Sequence, residues 1–421
     1  MNILFLTMVN FRSLSEHGIY EDLMREFVRK QHKVFVVAPT EKRNNENTAI
    51  IEKDANYTLL RVRTGNLQKT SFIKKGIATI RIAAQFKKAI KKHFCGNRFD
   101  LILYCTPPIT LYGVVKYFKK RDKAKTFLLL KDIFPQNALD INILDDHGVK
   151  GIIYRYFRKR EKNLYHLSDY IGCMSQANVD YLLSQNTEID KKKVHIVPNS
   201  IEPIDVSLTS TEKAQIRDKY GIPHDKVIFV YGGNLGKPQG IPFITECLQL
   251  LKDNSKAYFL IVGDGTEFGV LQAFVHKNTT QNVKLLKRLP REDFDRMIAA
   301  CDVGMIFLDH RFTIPNYPSR LLSYMQAELP VLACTDSNTD VGQDIADGGF
   351  GWWCESNDAT AFAQHVEKIC TISSEQMNAY KKKAKVVLLD KFTVAKTVES
   401  LLEVLRNEDK NEFGAKSAVC I

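Results

Sequence analysis

The feature that most constrains this chain is an alternation of short apolar runs with amphipathic helical stretches, played through twice. Residues 2–7 (NILFLT) form the first run. Ile19, Leu23, Met24, Phe27 and Val28 follow at helical spacing, and 34–38 (VFVVA) is the next run. Further runs at 100–104, 126–130, 170–174 and 194–197 are separated by helical patterns near 73–93, 108–121, 150–167 and 176–184. The pattern restarts with the run 226–231 (KVIFVY), a helix through Ile244, Leu248 and Leu251, and runs at 257–262, 283–286, 303–307 and 330–333. Strands that are apolar throughout, not on alternate residues, are covered on both faces, as in parallel sheets flanked by helices. The expected class is α/β, with two doubly wound parallel-sheet domains facing across a cleft.

A chain of 421 residues has room for two such domains. Residues 199–225 are polar, contain Pro203 and Pro223, and read as a linker. Residues 374–408 read as helical, with Val394, Val398, Leu401, Leu402 and Leu405 in one stripe and a loose polar tail after Asn407. The expected domains are therefore 1–198, 199–390, and a segment 391–421 whose helix returns toward the first domain. A cleft between two α/β domains is a usual ligand site.

Charge divides unevenly between the halves. The first 200 residues hold 35 basic and 19 acidic side chains, and the remainder 25 and 29, within a net charge of +12. Three stretches of the basic half combine cations with apolar residues at helical spacing. Lys87, Lys88, Lys91 and Lys92 flank Ile73, Ile77, Ile80, Phe86 and Ile90; Lys119 and Lys120 follow Tyr117 and Phe118; Arg158 and Arg160 follow Ile152, Ile153, Tyr156 and Phe157. Basic amphipathic helices with aromatics suit an anionic membrane face, and a solvated helix surface is the alternative. No recognised nucleic-acid motif accompanies them.

No apolar run is long enough to span a bilayer, and the N-terminus lacks the basic flank and cleavage site of a signal peptide. Nine cysteines without a CxxC pair read as reduced, buried thiols of a cytosolic protein. Cys420 stands too near the end for a prenylation box.

Two segments carry chemistry. Tyr231-Gly232-Gly233-Asn234-Leu235-Gly236-Lys237 joins a strand to a helix. Glycines allow close backbone approach to phosphates, and Lys237 adds a charge. It is not a Walker loop, because Pro238 follows the lysine. A plain strand-to-helix turn is the alternative. The second segment, Ile314-Pro315-Asn316-Tyr317-Pro318-Ser319-Arg320, precedes a helix that Ser319 is expected to cap, with Arg320 able to fork onto a diphosphate. A capped helix with a surface arginine is the alternative there.

The order of these pieces resembles the GT-B glycosyltransferases of family 4, in particular the subgroup of N-acetylfucosaminyltransferases that builds bacterial O-antigen and capsule. The similarity rests on Pro318-Ser319-Arg320 with its helix, the glycine-rich turn, and the opening strand with Gly18-Ile19-Tyr20. It also rests on Phe99-Asp100-Leu101-Ile102 with Thr106-Pro107-Pro108, on Lys131-Asp132-Ile133-Phe134-Pro135, and on Pro198-Asn199-Ser200-Ile201. The resemblance implies two Rossmann-like domains. It implies a retaining transfer from a nucleoside-diphosphate sugar, UDP by expectation, to a polyprenyl-pyrophosphate-linked glycan at the inner membrane face.

Gly233, Asn234, Gly236, Lys237, Ser319 and Arg320 would then hold the diphosphate, and Gly263, Asp264, Arg288, Leu289, Asn316, Tyr317 and Ser323 the nucleoside and sugar. Asp132 would meet the reacting groups, with His17 beside the acceptor. The family's paired glutamates are replaced by Pro315 and Ser323. Asp293-Phe294-Asp295 has the spacing of a metal-binding DxD, but residues two apart on a helix do not share a face. Neither metal nor cofactor is therefore expected. A sugar-nucleotide 2-epimerase and a non-catalytic nucleotide-sugar-binding scaffold remain as rivals. A dinucleotide dehydrogenase is disfavoured because residues 2–28 lack GxGxxG.

Overall fold

The computed structural model describes residues 1–66, 72–278 and 281–417, with side chains placed except at 72–80, 278 and 408–417. The chain divides into two units, Met1–Glu202 with Thr393–Ile421, and Pro203–Phe392. The final helix, Val394–Ser417, thus belongs to the first unit, where Val398, Leu401 and Leu402 join the core formed by Phe5, Met24 and Phe27.

The first unit is built on β1 (Asn2–Leu6), β2 (Lys33–Glu41), β3 (Ala49–Lys53), β4 (Tyr57–Thr64), β5 (Leu101–Thr106), β6 (Lys125–Leu130), β7 (Tyr170–Cys173) and β8 (Val194–Ile196). Their sheet order is β3-β4-β2-β1-β5-β6-β7-β8, with only β3 antiparallel to its neighbour. The second unit holds β9 (Val227–Asn234), β10 (Ala257–Asp264), β11 (Val283–Lys287), β12 (Val303–Phe307), β13 (Val331–Thr335) and β14 (Gly351–Glu355). Its order, β11-β10-β9-β12-β13-β14, is wholly parallel and turns back beside β9, which is the doubly wound topology. Sheets of this kind take ligands outside the carboxyl ends of the strands where the order reverses, so in the second unit the ends of β9 and β12 mark the place.

Several expectations are corrected. The segment 199–225 is not a linker throughout: it contains the helix Ser210–Tyr220, opened by a reciprocal capping box between Thr209 and Glu212 and closed by Gly221 at a φ of +56°. Only Ile216 of that helix is buried, so no apolar stripe advertises it. Ser319 does not cap its helix through its side chain. Its backbone is already helical (φ −65°, ψ −17°), whereas a capping serine needs extended geometry to turn its hydroxyl back onto the first amides. The segment after Asn407 continues as helix to Ser417. The described cysteines are all free thiols, and Cys95 is exposed, not buried.

Candidate active site

In the second unit the glycine-rich turn is shaped by how closely its neighbours approach. Gly263 on β10 lies opposite Gly233 on β9, and a Cβ at Gly263 would stand 2.0 Å from the Gly233 carbonyl oxygen. A Cβ at Gly232 would fall 2.0 Å from the ring of Phe294. The Gly232 amide donates to the Tyr324 hydroxyl at 3.1 Å, and that hydroxyl donates onward to the Met305 carbonyl at 3.1 Å. Phe294 and Tyr324 therefore lock the end of β9 from two sides.

Beyond it the chain makes a tight turn held by one side chain. Gln239 Oε1 accepts from the Gly236 amide at 3.1 Å and from Asn234 Nδ2 at 3.0 Å. The Gly236 N–H, expected to face a phosphate, is thus committed within the turn. Asp309 after β12 is buried and gripped by Arg311 through both carboxylate oxygens, at 2.8 and 2.7 Å, and its amide donates to the Pro238 carbonyl at 2.9 Å. These contacts pin the loop after β12 to the glycine turn. Lys237 is exposed and makes no ion pair among the described residues.

Arg320 is the centre of the arrangement. Its guanidinium lies over the Tyr231 ring, 4.3 Å from the centroid, and a Cβ at Gly233 (φ +135°) would touch it at 3.5 Å. Nη1 is buried with no hydrogen-bond partner among the described residues. A buried arginine is normally matched by a carboxylate, and an unmade bond to a charged group costs on the order of 1–3 kcal/mol. Here the neighbours include the ring and hydroxyl of Tyr231 and a glycine backbone, an arrangement that leaves Nη1 open to an incoming anion.

The other expected residues around this centre are less open. Tyr317 donates to Asp344 Oδ2 at 3.0 Å and packs near Phe392, so its hydroxyl anchors the loop. The Asn316 amide donates to Thr339 Oγ1 at 3.0 Å, and its Nδ2 to the Ile314 carbonyl at 3.3 Å. Asp264 accepts from the Gly265 amide at 2.9 Å. Ser319 and Arg288 are exposed, while Leu289 and Ser323 are half-buried. In the DxD-like segment Asp293 pairs with Lys219 at 2.9 Å and Asp295 with Arg291 at 3.0 Å, so its two carboxylates serve separate partners.

In the first unit Asp132 follows β6. Oδ1 accepts from Asn137 Nδ2 at 2.8 Å, and burial pushes the carboxyl up to about 6 despite that bond. The adjacent Lys131 is lowered to about 8 by burial and donates to the Val197 carbonyl at 3.2 Å. His17 is 43% exposed and sits 3.3 Å from both Asp22 and Arg25. Asp22, His17 and Glu202 are near enough to resemble a ligand set, but Arg25 already bridges the two carboxylates.

Two of the expected membrane cations are structural. Lys119 donates to the Leu167 carbonyl and Asp169 at 2.7 Å each, and Arg158 pairs with buried Glu161 and with Asn186 at 2.8 Å. Lys87 and Lys91 lie over the Tyr117 ring at 4.0 and 5.6 Å, and Arg160 over Tyr156 at 5.2 Å. Lys88, Lys92 and Lys120 are exposed. The residues that sequence reasoning missed are Phe294, Tyr324, Gln239 and the Asp309–Arg311 pair. Only the last had a local signal, opposite charges two residues apart in a turn.

Known proteins agree with this architecture. Residues 212–387 match the model of glycosyl transferases group 1, and residues 20–204 that of glycosyltransferase family 4. The chain is 26% identical to "Probable glycosyltransferase WbjE" of Pseudomonas aeruginosa over 306 residues, covering 72% of this chain and 74% of that one. It is 26% identical over 203 residues to TuaC of Bacillus subtilis, a glycosyltransferase named for teichuronic acid biosynthesis, covering 46% of each. Among solved structures, Anabaena Alr3699/HepE in complex with UDP-glucose superposes with a TM-score of 0.68 at 14% identity, over 97% of this chain and 100% of that one.

The chain is a glycosyltransferase with the GT-B fold, and its homologues include enzymes of bacterial polysaccharide biosynthesis. No described helix is long and apolar enough to cross a membrane.

Proposed function

We propose that this enzyme transfers a sugar, with retention, from a UDP-linked donor to a polyprenyl-pyrophosphate-linked glycan, and that it works at the cytoplasmic face of the membrane in surface-polysaccharide assembly. The observation that carries the reading is Arg320, a half-buried arginine whose Nη1 is buried and unfilled beside Gly233. A diphosphate supplies the anion such a group lacks. In transfer the bond from the anomeric carbon to the diphosphate breaks, a bond to the acceptor oxygen forms, and the acceptor hydroxyl gives up its proton. Arg320 and exposed Lys237 stabilise the departing charge, the task a divalent ion performs in other transferases, so no metal is required. Asp132 is the proposed proton acceptor, since a carboxyl raised to about 6 is ionised yet basic near neutrality. The UDP and UDP-glucose complexes of the fold neighbour support the choice of donor class.

The test is release of labelled sugar from UDP-sugars by Arg320→Ala and Lys237→Ala, with unchanged rates in both ending the assignment. A second reading, a nucleotide-sugar-binding scaffold, is favoured by Pro315 and Ser323 standing where the family has glutamates. Binding of UDP-sugar without turnover in a membrane extract containing lipid acceptors would select it.

A further inference from the structure

The helix Gly148–Leu167 exposes apolar side chains that no described residue of its own unit covers. Val149 is 76% exposed, Ile152 62% and Tyr156 41%. Their spacing, three and then four residues, puts them on one face of the helix. The opposite face is spent on the fold: Gly151, Glu161, Leu164 and Tyr165 are buried, and Phe157 packs edge-on against Phe134 at 5.1 Å. Arg155 and Lys159 are exposed along one side of the apolar stripe. Arg160 borders the other side and lies over the Tyr156 ring at 5.2 Å. The nearest acids, Asp145 and Asp146, precede the helix, and Asp146 is paired with His147 at 2.5 Å.

Among the described side chains of the helix Phe72–His93, the large apolar ones, Ile82, Phe86 and Ile90, are buried.

We infer that Val149, Ile152 and Tyr156 form the segment through which the enzyme docks into an anionic lipid bilayer, with Arg155, Lys159 and Arg160 held at the headgroups. A partly exposed tyrosine beneath an arginine, next to aliphatic side chains, matches the chemical gradient of a membrane interface. The charge argues against a second copy of the chain as occupant. Two copies meeting through this stripe would bring Arg155, Lys159 and Arg160 against their own equivalents, and like charges across an interface repel. The inference rests on the reading that the acceptor is lipid-linked.

The experiment is co-sedimentation of the full chain with phosphatidylcholine vesicles, with and without phosphatidylglycerol. The wild type is expected to prefer the anionic vesicles. Ile152→Asn with Tyr156→Asn is expected to lower that binding about tenfold. Arg155→Gln and Lys159→Gln are each expected to lower it about fivefold at low salt and little at high salt. Val386→Asn with Leu389→Asn, on equally exposed residues of another lysine-rich helix, is the control and is expected to change nothing. Three results would overturn the inference: indifference of the wild type to phosphatidylglycerol, wild-type binding by Ile152→Asn/Tyr156→Asn, or an equal loss in the control. A smaller sedimentation coefficient for Ile152→Asn/Tyr156→Asn, with vesicle binding intact, would instead assign the stripe to self-association. Thermal stabilisation by UDP, retained in every variant, shows that each is folded. Its absence from the wild type would refute the donor reading and leave the vesicle result standing.

Discussion

Arg158 and Arg320 are both arginines on helices packed over parallel sheets, and their surroundings differ in one respect. Arg158 in the first unit meets the buried carboxylate of Glu161, the Gln185 carbonyl and Asn186. Arg320 in the second unit meets the face of Tyr231 and the backbone of Gly233, with Nη1 left over. The first cation is satisfied by the fold and the second is not. Net charge cannot tell these apart, which is why the surplus of the basic half misassigned Lys119 and Arg158 to a membrane surface while the single arginine that most needs an anion lies in the less basic half.

The comparison is broken most directly at Arg320. Arg320→Ala is expected to cut sugar transfer by roughly a hundredfold or more, the usual cost of removing a group that stabilises charge in the transition state. Stabilisation by UDP in a thermal melt should vanish with it. The ligand-free protein should melt no lower, because the substitution removes an incompletely satisfied buried charge. A large fall in the ligand-free melting temperature would mean that Arg320 is as structural as Arg158.

The matching substitution in the first unit should do the reverse. Arg158→Ala strands the Glu161 carboxylate in the core, where, among the described residues, only Tyr165 still bonds to it at 2.6 Å. A stability loss of about 3 kcal/mol is expected in urea unfolding, with the UDP-induced shift preserved. Unchanged stability with impaired vesicle binding would restore the surface role that the structure takes away from Arg158.

These pairings also show where sequence reading stops. Most strands of both sheets were legible because a strand covered on both faces is apolar without interruption, as in VFVVA of β2 and VIFVY of β9. β3, β4 and β14 were not: the register of β3 slips between Ile50 and Glu52, β4 carries Arg61 and Arg63 among its apolar residues, and β14 is a short run, GWWCE. The helix Ser210–Tyr220 hid in a polar stretch, although Thr209 and Glu212 spelled out its capping box. The glycine turn and Arg320 were legible as separate candidates. That Tyr231 would lie under the guanidinium, or Gln239 consume the Gly236 amide, depends on contacts between β9 and elements far along the chain or on the particular fold of a turn. Neither follows from residue spacing.

A smaller effect is read by pH at Asp132 in the first unit. The Asp132 carboxyl stands at about 6, above the ordinary aspartate value near 4, so the folded chain holds that proton more tightly than the unfolded one. Its stabilising contribution is full below about pH 4 and is lost as pH rises through about 6. Asp132→Asn is therefore expected to be more stable than the wild type at pH 8, by on the order of 2 kcal/mol, and to converge with it at low pH. Transfer by the wild type should rise with deprotonation, half-complete near pH 6, and Asp132→Asn should be slow at every pH. A rate profile that is flat through this range would remove Asp132 from proton transfer while leaving the stability difference as a test of its burial.

Lys237 is the finest test, because it shares the proposed task of Arg320 without its environment. It is exposed, so water and salt screen its charge, whereas Arg320 is half-buried with its Nη1 shielded from solvent. An exposed cation facing a phosphate contributes about 1 kcal/mol, which corresponds to roughly a fivefold change in affinity. Lys237→Ala should thus lower kcat/KM for donor by about that factor at low salt and approach the wild type as salt is added. If it instead lowers kcat as far as Arg320→Ala does, and salt makes no difference, then Lys237 is enclosed when donor binds and the turn around Gln239 closes over the diphosphate.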